Sequence, residues 1–146
     1  MAQSLGFAPF NKPVAQIFLG DVGSLPIGLL LGWLLLQLAA MGHVTAALIL
    51  PLYYVADATI TLVWRIVRGD AILLAHRAHF YQRATDRGLK VPEVVARVFV
   101  VNLALAGLAF ITVAAQNIIV SLAMLTAAAA IVYWLLAGFA SGKDPR

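Results

Sequence analysis

Four long apolar segments constrain this chain more than any other feature. The first runs from about Leu25 to Met41, interrupted only by Gln37, and the second from about Val44 to Val63. The third runs from about Val94 to Ala115 and the fourth from about Ile118 to Ala137. As α-helices they are long enough to cross a hydrocarbon core of roughly 30 Å, the first as a short span assisted by its flanks. With 63% of its 146 residues hydrophobic and 11% charged, the chain is too apolar to hide that surface inside a soluble domain. The expected fold is therefore all-α: a polytopic membrane protein with four transmembrane helices. The absence of cysteine excludes a disulfide framework and a thiolate metal site.

The connections between the segments set an orientation. Met41 to Ala46 and Ala114 to Asn117 contain no Lys or Arg. By contrast, Lys12, Arg65, Arg68, Arg77, Arg83, Arg87, Lys90, Lys143 and Arg146 all fall in the other three segments, with Arg97 in the first turn of a span. The positive-inside rule then puts both termini and the Trp64 to Glu93 loop on the cytoplasmic side of the inner membrane. The formal charge of +4 is thus charge at a membrane surface, and no nucleic-acid partner is expected. The chain divides into a cytoplasmic segment (1–24), a first helix pair (25–64), a cytoplasmic Arg/His loop (65–93), a second helix pair (94–137) and a tail (138–146). Gly28 and Gly32 form a G-x-x-x-G pair suited to close helix packing, within the chain or with a second copy.

Three polar features stand out against this background. Asp21 lies between Gly20 and Gly23, which allow a tight turn and close approach, while Ser24 and Pro26 suit the start of the following helix. Asp21 and Ser24 read either as caps or, for Asp21, as a hard carboxylate able to hold Mg²⁺ against a phosphate; spacing alone leaves both open. The loop contains an expected amphipathic helix from about Ala71 to Thr85, on which His76, His79, Phe80 and Arg83 share one face and Arg77 an adjoining one. That pattern fits either arginines on anionic lipid headgroups or a phosphate-binding site. Asp57, the third feature, sits in the second span with Pro51 and two tyrosines, roughly 10 Å below the cytoplasmic end. Hydroxyls such as Thr59, Thr61 or a tyrosine on another helix can satisfy it, and that depth favours structural satisfaction, or support of a site, over direct chemistry.

The motifs resemble a known family. "IFLGDVGSLPIG" is similar to the F-x-G-D-x-G-S signature of the polyprenyl-phosphate N-acetylhexosamine-1-phosphate transferases, which include phospho-N-acetylmuramoyl-pentapeptide transferase. "PLYYVADATITLVWRIVRGD" followed by "AHRAHFYQR" resembles the family's next block: an acid-bearing span, an Arg- and Gly-bearing turn, then a His-rich loop. The resemblance implies transfer of a HexNAc-1-phosphate from a UDP-N-acetylhexosamine to polyprenyl phosphate in cell-envelope polysaccharide synthesis, with Mg²⁺ as cofactor. It implies that Asp21 is the catalytic or magnesium-binding aspartate. His76, Arg77, His79, Arg65 and Arg68 would bind substrate, with Gly20, Gly23, Ser24 and Asp57 in support.

The "HRAHFYQ" form of the loop departs from the common H-x-H-H pattern and looks like the branch serving O-antigen or capsule synthesis. The family's first half also carries an Asp-Asp pair, and no adjacent acid pair occurs in this chain. The expectation is therefore a truncated or split transferase, inactive unless an N-terminal half supplies those acids. A noncatalytic partner or regulatory subunit derived from the family is the alternative. A generic four-span assembly protein leaves both motifs unexplained.

Overall fold

The computed structural model describes residues 20–69 and 90–141, and those residues form helices and no strand. In chain order the helices are α1 (Gly20–Ala40), α2 (Val44–Ile49), α3 (Leu52–Arg68), α4 (Val91–Ala115) and α5 (Ile118–Ser141). The expected amphipathic helix from Ala71 to Thr85 lies outside the described residues. The chain divides into two units, Met1–Gln37 and Leu38–Arg146.

The first unit contains most of α1, which begins well before the predicted start near Leu25. Gly20 opens the helix with φ 59, a left-handed conformation that glycine adopts without a Cβ clash. As a result Ser24 lies inside the helix instead of capping it, and Pro26 is interior as well. Pro26 has no N–H to offer the Val22 carbonyl, so one rung of the helix ladder is missing there.

In the second unit the chain leaves α1 through Gly42, at φ 91. The Gly42 N–H bonds the Ala39 carbonyl (3.0 Å) and the His43 N–H the Leu38 carbonyl (3.2 Å), the paired bonds of a glycine-terminated helix end. The segment expected as one span from Val44 to Val63 is two helices, broken at Leu50 and Pro51. The chain does not reverse there, since Leu50 remains right-handed helical (φ −56, ψ −48) and Pro51 stays close to it (φ −88, ψ 1). Helical bonds resume at once, from the Val55 N–H to the Pro51 carbonyl at 3.0 Å. The break is thus a proline interruption of a continuing rod.

Pro92 lies in the first turn of α4, where its missing N–H is not needed. At the far end of that helix Gln116 turns left-handed (φ 46), and the Asn117 Oδ1 accepts the Ile119 and Val120 N–H groups at 2.8 and 3.3 Å, capping α5. Along α4 the inward positions Val94, Val98, Val101, Leu105, Leu108 and Thr112 recur at steps of three and four residues. Ala128, Val132, Leu135 and Phe139 do the same on α5, so the two helices pack as a seam. Ile49, Leu105 and Phe139 are the largest fully buried side chains, joining α2, α4 and α5 in one core.

The outward faces are just as apolar. Phe99, Leu103, Phe110, Tyr133 and Trp134 are all well exposed, which suits lipid and not water. Among the described residues three helices are long and apolar enough to cross a membrane: Val22–Ala40, Val91–Ala115 and Ile118–Ala140. The interrupted α2–α3 rod is the remaining expected span, and its break keeps it from presenting one continuous apolar helix.

Candidate functional site

The polar residues of α3 line up. Tyr53, Asp57 and Thr61 are buried, and Arg65, four residues further, is half-buried. Spacings of four place all of them on one face of the helix, a polar stripe running from the middle of the rod to its basic end. Thr59 is exposed, so the hydroxyls that share Asp57's buried face belong to Tyr53 and Thr61 of its own helix. The Thr61 Oγ1 is buried without a hydrogen-bond partner among the described residues.

Beside this stripe a cavity of about 330 Å³ opens between α3 and α4, lined by Tyr53, Tyr54 and Asp57 on one side and Val94, Val98 and Asn102 among those on the other. The Tyr53 and Tyr54 rings meet edge to face, 5.1 Å between centroids at 73°. The Asn102 Nδ2 donates to the Tyr54 hydroxyl at 3.1 Å, tying the two helices together across the cavity. A side-chain hydrogen bond of this kind is worth about 1 kcal/mol or less within a membrane.

The stripe ends among cations. Arg65 and Arg68 fill the last turn of α3, where carbonyl groups left without helical partners favour positive charge. Gly69 closes the helix at φ 74 and bonds the Arg65 and Ile66 carbonyls. The Arg68 guanidinium lies 4.2 Å from the centroid of the Trp64 ring, a cation–π contact that holds it at the helix surface. Lys90 and Arg97 stand at the start of α4, so this end of the second unit is basic, with Glu93 the one acid in α4's first turn.

Of the residues selected from sequence, Asp57, Arg65 and Arg68 therefore share one helix, and Asp57 and Arg65 share one face of it. Gly20, Gly23 and Ser24 lie along the start of α1. Asp21 is in its first turn, with its side chain outside the described part of the structure. His76, Arg77 and His79 also lie outside the described residues. Among the described residues no three histidines or acids gather into a set able to hold a metal ion. Sequence reading passed over Tyr53, Tyr54 and Asn102 as site residues. Tyr53 was available in the four-residue repeat of polar side chains through 53, 57, 61 and 65 within α3, whereas Tyr54 and Asn102 lie outside that repeat and are paired only by the packing of α3 against α4.

Comparison with known proteins agrees with a multi-pass membrane protein. The glycosyl transferase family 4 model matches residues 1–39, the stretch that contains Asp21. The chain is a multi-pass membrane relative of these glycosyltransferases. It is 30% identical over 105 residues to phospho-N-acetylmuramoyl-pentapeptide-transferase of Bartonella quintana (strain Toulouse), covering 70% of this chain and 28% of that protein. The corresponding proteins of Rhodopseudomonas palustris (strain BisA53) and Hydrogenobaculum sp. (strain Y04AAS1) are 30% and 31% identical, over 74% and 70% of this chain and 30% and 28% of their own lengths. The chain thus spans under a third of the curated relatives it matches. No solved structure matches it.

Proposed function

We propose that this chain is part of a membrane phospho-sugar transferase that moves a HexNAc-1-phosphate from a UDP-N-acetylhexosamine to polyprenyl phosphate in cell-envelope synthesis. The observation that carries this reading is the family match over residues 1–39, because that stretch contains the Gly20-Asp21-Val22-Gly23-Ser24 motif. The similarity to phospho-N-acetylmuramoyl-pentapeptide-transferases supports it.

In this reading α2–α3 crosses the inner membrane as the second of four spans, and the basic end of the second unit faces the cytoplasm. An oxygen of the polyprenyl phosphate attacks the sugar-bearing phosphorus of the UDP-sugar. The bond from that phosphorus to the bridging oxygen breaks, and UMP leaves with the bond's electron pair. Arg65 and Arg68, with His76, Arg77 and His79 of the loop, hold the diphosphate by charge-assisted hydrogen bonds. Asp57 and Thr61 fix the face of α3 that carries Arg65. Mg²⁺, when bound, neutralises charge developing on the phosphates. Asp21 would hold it through one carboxylate, with further acids supplied by the acid-pair-bearing part of a related transferase.

The test is UMP release from a UDP-HexNAc and polyprenyl phosphate in membranes containing this chain, alone and together with the acid-pair-bearing part of a related transferase. No turnover is expected from the chain alone. Magnesium-dependent turnover is expected from the combination, falling at least about a hundredfold on Asp21→Asn. Turnover indifferent to that change overturns the role given to Asp21, and turnover by the chain alone overturns its dependence on outside acids. Nucleotide binding without turnover in either setting would instead describe a regulatory subunit.

A further inference from the structure

The basic end of the second unit holds a site that this transferase reading leaves unused. A groove of about 590 Å³ runs between α4 and α5, lined by Ala96, Arg97, Val100 and Val101 on one helix and Trp134, Leu135 and Gly138 on the other. Arg97 lies roughly 9 Å beyond the start of α4, inside a helix long and apolar enough to cross the membrane. Its side chain is exposed, and among the described residues no carboxylate pairs with it. A guanidinium at that depth is costly unless it reaches the headgroup layer and finds an anion there.

We propose that this groove holds one anionic phospholipid, its phosphate on the Arg97 guanidinium and an acyl chain laid against the small-residue floor. Charge complementarity selects the headgroup, since a planar guanidinium offers a phosphate two parallel hydrogen bonds. The apolar walls select a lipid over a free phosphate, which has no group to set against Val100, Val101 and Leu135. Gly138 supplies the floor: a Cβ built there meets nothing within 4 Å, so the space beside it is open. Trp134 is 75% exposed at the groove's edge, the position an interfacial indole takes at headgroup level. One basic residue near an anionic membrane surface corresponds to a preference of about fivefold.

Native mass spectrometry of the full chain in detergent micelles tests this, with phosphatidylglycerol and phosphatidylcholine offered in equal amounts. One phosphatidylglycerol is expected to be retained about fivefold over phosphatidylcholine. Arg97→Gln should abolish that preference while leaving some binding of both. Gly138→Leu, which fills open space and leaves the packed seam intact, should reduce retention of both lipids with Arg97 still present. A preference unchanged in Arg97→Gln overturns the proposal, as does retention indifferent to Gly138→Leu. Displacement of phosphatidylglycerol by an equal amount of polyprenyl phosphate also overturns it, because the groove would then be an acceptor site.

Discussion

The two ends of the second unit are built from the same parts, a helix end and a helix start, yet they differ in almost every chemical respect. At one end Arg65 and Arg68 fill the last turn of α3, Lys90 precedes α4 and Arg97 follows in its early turns. At the other, His43, Thr45, Gln116, Asn117 and Ser121 surround a cavity of about 490 Å³ lined without a Lys or Arg. The basic end presents side-chain charges and closes α3 with a glycine. The uncharged end satisfies its backbone with its own side chains, through Asn117. One end is equipped to meet anions and the other to seal helix termini, and the proposed orientation rests on that contrast.

The largest expected effect comes from exchanging the charges. The chain has no cysteine, so single cysteines at Val67 and Ile118, both well exposed, report sidedness without background. In the native charge arrangement Ile118→Cys should react in intact cells and Val67→Cys only after the membrane is opened. Combining His43→Lys and Gln116→Lys with Arg65→Gln and Arg68→Gln should give both labels from both sides. Unchanged labelling would show that the contrast between the ends does not set orientation.

A smaller effect separates the two helix starts. Asn117→Ala removes two hydrogen bonds to the first turn of α5 and should cost about 1 kcal/mol in detergent unfolding. Lys90, at the start of α4, makes no side-chain capping bond, so Lys90→Ala should stay within about 0.5 kcal/mol. Equal losses would erase the distinction between a self-capped end and a charged one.

The smallest expected change is a gain. Gln116 holds φ 46, a conformation that costs a residue with a Cβ about 1 kcal/mol. Gln116→Gly should therefore stabilise the α4–α5 hairpin by up to about that amount, less what glycine loses in the unfolded chain. A loss of stability would mean that the Gln116 side chain has a role in the polar cavity.

Much of this molecule was legible residue by residue. Apolar length alone located α1, α4 and α5, and Pro92 marked the start of α4 because a proline N has no rung to lose in a first turn. The second span, expected as one segment from Val44 to Val63, is divided at Leu50 and Pro51 into two helices, because a proline inside a helix removes a rung of its ladder. The family relationship was readable in "GDVGS" and in the Arg/His block, since those motifs keep their spacing whatever the packing. The start of α1 was misjudged at Ser24 because a left-handed Gly20 can open a helix that cap residues appear to begin later.

Tertiary structure alone decided which faces turn inward. In a soluble chain, polarity separates core from surface, but here lipid is as apolar as the core, so Leu103 and Leu105 look equivalent until one is exposed and the other fully buried. The same is true of Tyr53 and Tyr54, neighbours in sequence, one buried along Asp57's stripe and the other bonded to Asn102. The groove beside Arg97 exists only because α4 and α5 pack side by side, with Ala96 and Gly138 among its lining residues. Sequence determined that this chain lives in the membrane and what chemistry it resembles. Packing, which the uniform apolarity of its helices leaves unmarked, decided where its few polar groups meet.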